Sequence, residues 1–114
     1  MEVRYKSFYD YRVEVPGLPP GVTVSSAKFY VKTAYSVADA SAIFTETATV
    51  TYAGGTGIPA LLTFNIDPTN TDLCTVGTEY VCGVKVFLSN NQYQNLKDTE
   101  QTFKVVYGAG SGSS

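Results

Sequence analysis

Gly77-Thr78-Glu79-Tyr80-Val81-Cys82-Gly83-Val84-Lys85-Val86-Phe87-Leu88-Ser89-Asn90-Asn91 is the stretch that decides the fold class. Tyr80, Cys82, Val84, Val86 and Leu88 alternate with Val81, Gly83, Lys85 and Phe87. That period of two predicts a strand, and an apolar majority on both faces predicts a central place in a sheet. Gly77 releases the chain into this strand. Ser89-Asn90-Asn91 ends it, because asparagine tolerates positive φ, and predicts a hairpin into residues 92–97.

Working outward, the same period recurs between regular turn signals. Near the N-terminus, Val3, Tyr5, Tyr9, Tyr11, Val13 and Val15 share one face, and Arg4, Lys6, Asp10, Arg12 and Glu14 the other. Ser7 and Phe8 break the alternation, which predicts a bulge, a kink, or a strand that leaves one sheet for another. Pro16-Gly17-Leu18-Pro19-Pro20-Gly21 stops it. A second strand follows with Ala27, Phe29, Val31 and Thr33 inward and Lys28, Tyr30 and Lys32 outward. Residues 36–42 are small and polar, a loop or one helical turn capped by Asp39. Residues 43–52 predict a third strand, with Phe44, Ala48, Val50 and Tyr52 opposite Thr45, Thr47, Thr49 and Thr51.

Leu62, Phe64 and Ile66 predict the inner face of a fourth strand. Asp67-Pro68 behind it has the form of a cap and first helical residue, so a single short helix is expected. The last strand is expected to carry Phe103, Val105 and Tyr107 inward, and residues 108–114 have the composition of a flexible linker. About seven short strands with no helix longer than a turn predict an all-β chain. The expected architecture is an immunoglobulin-like antiparallel β-sandwich over residues 1–107 with a Gly/Ser-rich C-terminal arm at 108–114, a small barrel being the alternative.

Composition restricts the chemistry. The 114 residues contain no His and no Trp, which removes His-based proton transfer, Ser-His and Cys-His nucleophiles and His-metal sites. Eight basic and ten acidic residues give a net charge of −2, unlike a nucleic-acid binder. No segment approaches the roughly 20 apolar residues of a bilayer span, and no apolar run follows the charged residues at the N-terminus, so neither a membrane partner nor a secretory signal is expected. Cys74 and Cys82 are expected as two buried thiols, since the strand carries Cys82 away from the turn near Cys74. Asp67, Asn70 and Asp72 lack the alternation and distal glutamate of an EF-hand and read as capping residues. Gly54-Gly55-Thr56-Gly57 lacks the lysine and helix of a phosphate loop. Asp98 and Glu100 offer a carboxylate pair, but a domain of this size has little left to wall a cleft. No cofactor motif is present.

The nine tyrosines divide by phase. Tyr5, Tyr9, Tyr11, Tyr80 and Tyr107 fall at inward positions, and Tyr30, Tyr35, Tyr52 and Tyr93 on outward faces or loops. Exposed tyrosines suit interfaces because the ring buries area while the hydroxyl stays satisfied.

The ordered segments Gly17-Leu18-Pro19-Pro20-Gly21-Val22-Thr23-Val24-Ser25-Ser26-Ala27-Lys28-Phe29-Tyr30-Val31-Lys32, Ala38-Asp39-Ala40-Ser41-Ala42-Ile43, Leu62-Thr63-Phe64-Asn65-Ile66-Asp67-Pro68-Thr69-Asn70-Thr71-Asp72-Leu73, Gly77-Thr78-Glu79-Tyr80 and Thr102-Phe103-Lys104-Val105 resemble small immunoglobulin-like virion proteins of tailed bacteriophages. The N-terminal domain of phage baseplate upper proteins is similar. The chain departs from that pattern at Cys82 and Gly83, where a tyrosine and an aspartate are usual, and its leucine after Pro68 comes one residue early.

The resemblance implies a non-enzymatic virion structural protein of the tail, baseplate or capsid surface, assembled in the host cytoplasm. Its implied partners are copies of itself and other virion proteins. The expected contact residues are Tyr30, Tyr52, Tyr93, Tyr107 and the arm residues Gly108, Ala109 and Gly110, with the arm lying against an adjacent subunit. Pairing is also expected at the sparsely charged edge of residues 43–52. The competing class is a carbohydrate-binding or adhesion β-sandwich module using Tyr52 or Tyr93 as a sugar platform.

Overall fold

A computed structural model describes residues 1–55 and 57–107. Eight strands and two short helices occur in the order β1 (Glu2–Arg4), β2 (Tyr9–Val15), β3 (Val24–Lys32), a 3-10 turn (Asp39–Ser41), β4 (Phe44–Thr47), β5 (Thr49–Tyr52), β6 (Ala60–Ile66), α1 (Pro68–Asp72), β7 (Glu79–Leu88) and β8 (Tyr93–Val106). They build a five-stranded sheet, β1-β8-β7-β3-β4, and a three-stranded sheet, β2-β6-β5. The chain is therefore all-β. β7 lies inside the larger sheet, where its sequence placed it.

Both sheets contribute to one core. Phe29 of β3 is fully buried, and its ring centre lies 5.6 to 6.2 Å from those of Tyr11, Phe44, Phe64 and Phe103. Tyr11 and Phe64 belong to the smaller sheet, so these ring pairs join the two layers edge-on and tilted, as aromatic quadrupoles prefer. Ala27, Val31, Leu62, Ile66, Val86 and Val105 complete the core, all at 2% exposure or less.

Several expected boundaries are corrected. The N-terminal alternation is two strands: β1 pairs parallel with β8, Val3 opposite Val105, while β2 pairs antiparallel with β6, Tyr11 opposite Phe64. The chain changes sheets through Lys6, whose φ of 58° is unusual for a residue with a Cβ. This parallel pair also means that the sheets are not purely antiparallel. Residues 43–52 likewise form two strands, one in each sheet. Ala48 between them donates its N–H to the Ala27 carbonyl, and the apolar period runs on across the change of sheet, which is why the sequence shows no break.

Residues 92–97 and the last strand are one strand, β8, interrupted opposite Gly83: Cys82 faces Gln101 but Val84 faces Leu96. The buried Thr99 fills this bulge, its hydroxyl accepting from Val84 N–H and donating to the Leu96 carbonyl. Thr33 falls beyond the end of β3 and is exposed, and Tyr107, expected inward, is 49% exposed past the end of β8. Tyr9 is exposed at the start of β2.

Capping behaved as the sequence required. Asp67 accepts from Asn70 N–H, Asn70 Oδ1 accepts from Asp67 N–H, and Pro68 takes the first turn. The buried Thr71 hydroxyl accepts from Lys6 N–H and donates to the Pro68 carbonyl, pinning the first sheet crossing to α1. Asn91, at φ 65°, closes the β7–β8 hairpin. Gly54, at φ 89°, holds a left-handed backbone that a side chain would strain, and a Cβ there would also crowd Leu18 Cδ1 and Ala60. Cys74 and Cys82 are both free and buried.

Thr71→Val removes the acceptor of Lys6 N–H and should destabilise the fold by about 1–3 kcal/mol, the cost of stranding a buried polar group. Lys6→Gly relieves the left-handed backbone without touching that bond and should leave stability unchanged or raised by up to about 1 kcal/mol. Urea-unfolding midpoints of the two variants check this opposite pair of signs.

Candidate functional site: a hollow on the outer face of the five-stranded sheet

The outward residues of β3, β7 and β8 line a hollow of about 450 Å³, walled on one side by the loop after β3. Its floor is low because Gly83 has no side chain, and the β8 bulge places Asn95 and Glu100 at its border. The loop is held in place by polar contacts: Lys32 Nζ donates to the Val37 carbonyl at 2.9 Å, and Tyr35 donates its hydroxyl to the Gln101 carbonyl at 3.3 Å.

One carboxylate organises the charges. Asp39 accepts from Lys32 through Oδ1 at 2.5 Å and from Lys85 through Oδ2. The two ammonium groups hold the Asp39 carboxyl below its ordinary range, hydrogen bonding from Lys32 contributing most. The same contact with Asp39 raises the Lys85 pKa. Asp39 is thus the first residue of the 3-10 turn and a bridge between two strands. It does not cap the turn, since that position belongs to Ala38.

Of the expected contact residues, the structure brings Tyr30 and Tyr93 together. Lys85 Nζ lies 5.6 Å from the Tyr30 ring centre and 4.9 Å from that of Tyr93, and Lys32 approaches Tyr30 to 5.5 Å. These are cation–π distances. The cost is that the ring faces are engaged by the chain's own lysines.

Tyr30 is therefore only partly exposed, whereas Tyr93 remains 63% exposed. Tyr52 stands apart on the smaller sheet, where a register shift after Val50 sets it opposite Leu61. Tyr107 lies elsewhere again, its ring edge-on to Tyr5 at 5.7 Å. Gly108, Ala109 and Gly110 lie outside the described residues.

Sequence reasoning missed the Lys32–Asp39–Lys85 cluster and the role of Tyr35. A signal existed for one member: Lys85 is the sole charge between residues 80 and 96, and an isolated cation in an apolar strand needs a partner.

The carboxylate is committed to two ammonium groups. Burial pushes the thiols of Cys74 and Cys82 up to about 11, so both are protonated at neutral pH and poor nucleophiles. Asp67, Asn70 and Glu46 are also engaged: Asn70 Nδ2 donates to Glu46 at 3.0 Å, besides its capping role.

Comparison with protein-family models, curated proteins and solved structures finds no match in any of the three.

Because the folded Asp39 pKa lies below its ordinary value of 3.8, its contribution to stability is present above the carboxylate range and disappears as pH falls through the depressed folded value. Asp39 is about a third exposed, so solvent screening limits the contribution to about 1 kcal/mol or less. Asp39→Asn should lower stability by that amount at neutral pH, and the difference from the wild type should vanish in strong acid. Chemical denaturation across this range measures both.

Proposed function

We propose that this chain is a non-enzymatic structural component of a tailed-bacteriophage virion, in the tail, the baseplate or the capsid surface, working through protein–protein contacts with copies of itself and neighbouring virion proteins. The phage part of the reading rests on the ordered motifs of the sequence. The observation that carries the non-catalytic part is the hollow, where the one central carboxylate, both lysines and the tyrosine faces are spent on each other. The reading places the protein in the virion after assembly in the host cytoplasm.

The finer fold reading within this proposal is immunoglobulin-like. Two features support it. The first strand runs parallel beside the last, and the larger sheet continues through β7 to β3 while β2, β6 and β5 form the opposing layer. At the entry to β7, Tyr80 accepts a hydrogen bond from Thr75 N–H at 2.8 Å across the β6–β7 connection, and Cys82 follows two residues later. That is the arrangement of a tyrosine corner, which fixes the same connection in immunoglobulin-type sandwiches.

A second reading, a carbohydrate-binding or adhesion module, is favoured by the hollow itself, where the half-exposed Tyr35 stands with Asn95 and Glu100, and by the exposed Tyr93 ring next to its Lys85. Lys85 occupies one approach to the Tyr30 and Tyr93 rings, and this argues for the assembly reading. Mass spectrometry of purified particles, with heads and tails separated, should find the chain in one fraction at a copy number typical of a structural protein. Its absence from both, or glycan-array binding that Tyr93→Ala abolishes, would replace the proposal.

A further inference from the structure

Residues 43–52 supply the outermost strand of each sheet, β4 for the larger and β5 for the smaller, joined through Ala48 alone. One segment therefore forms a whole flank of the molecule. An outermost strand leaves a row of backbone N–H and C=O groups without a partner strand, and proteins that stay monomeric guard such rows with charge, proline or bulges.

The flanks differ in that guard. β2, the outer strand on the opposite side of the smaller sheet, carries Asp10, Arg12 and Glu14 at its exposed positions and ends at Pro16. β1 has only three residues, two of them the exposed and charged Glu2 and Arg4. Along β4 and β5 the exposed positions are Thr45, Thr47, Thr49, Thr51 and Tyr52, and residues 43–52 contain no Pro, no Gly and one charge. That charge, Glu46, is turned toward the core side, opposite Phe29, and accepts a hydrogen bond from Asn70.

We propose that β4 is the contact strand, pairing antiparallel with β4 of a second copy about a twofold axis normal to the sheets. This rests on the assembly reading and names its contact. A second copy is the occupant because the edge is self-complementary. A closed two-subunit contact needs one patch that fits itself, and this edge can be set against its own copy with uncharged Thr45 opposite Thr45 and no like charges opposed. Residues directly opposite in such a pair share a face. Register follows from Glu46: centring the pair on Glu46 would set two carboxylates face to face, so the pair is centred on Thr45, with Glu46 opposite Phe44 and Thr47 opposite Ile43.

Thr45→Lys with Thr47→Lys places exposed ammonium groups on the edge without disturbing the core, and circular dichroism should report an unchanged fold. Sedimentation equilibrium of the full chain should show a concentration-dependent dimer for the wild type and a monomer for this double variant. Glu14→Lys on the β2 edge should leave the dimer intact. A wild type that stays monomeric at the highest soluble concentration, or a dimer untouched by the double lysine change, overturns the pairing. Neither result bears on the virion assignment, which the particle fractions decide separately. Dimer loss in Glu14→Lys alone would move the contact to the opposite flank and likewise overturn it.

Discussion

Phe29 is the point on which the rest of this structure depends. Four aromatic rings meet it, two from each layer, and a domain this small has one core in which to find its stability. Burying one such ring contributes about 1.5–3 kcal/mol, against a typical domain stability of about 5–15 kcal/mol. Position 29 can hold this ring only because its strand sits next to the centre of the larger sheet, where Lys28 and Tyr30 alternate outward. Tyr30 and, two residues on, the equally outward Lys32 line the hollow. Core and candidate site are thus the two faces of one strand, and a slip of one residue would exchange them.

Two crossings of the same kind close the flanks. β1 passes to β2 and β4 passes to β5, each moving from the larger sheet to the smaller. The first needs a strained Lys6 and a threonine on α1 to hold it. The second needs one residue, Ala48, with a single backbone bond to β3. Because a strand that changes layers turns its inward face with the core, periodicity passes through the second crossing without a mark, whereas Ser7 and Phe8 interrupt it at the first.

That explains what was legible in the sequence. The inward residues Ala27, Phe29, Val31, Leu62, Phe64, Ile66, Phe103 and Val105 were all recognised, as were the Asp67 cap, the short helix and the Asn91 hairpin, since each depends on chemistry within a few residues. At residues 7 and 8 the break in alternation offered a change of sheet as one reading, and the structure selects it. At Ala48 nothing local signalled the change. The β8 bulge was hidden for a different reason: Thr99 compensates for a missing ladder bond through a side chain fifteen residues from its partner. Tyr107 was assigned inward because the period was carried one residue past the last pair. The Asp39 bridge spans 7 and 46 residues, beyond any motif. Tyr30 and Tyr93 were singled out for exposure, and what joins them is Lys85, which exposure alone does not reveal.

The parallel pairing of β1 with β8 has a consequence for how the chain acquires its structure. Val3 meets Val105, so the larger sheet is completed by a contact that spans nearly the whole sequence. Loop-closure entropy makes such contacts late and slow, while the β7–β8 hairpin and the β2–β6 pair form over shorter separations. During synthesis the first strand therefore waits, unpaired, until the last has left the ribosome. Its brevity and its two charges, Glu2 and Arg4, give that waiting segment little tendency to pair with the wrong neighbour.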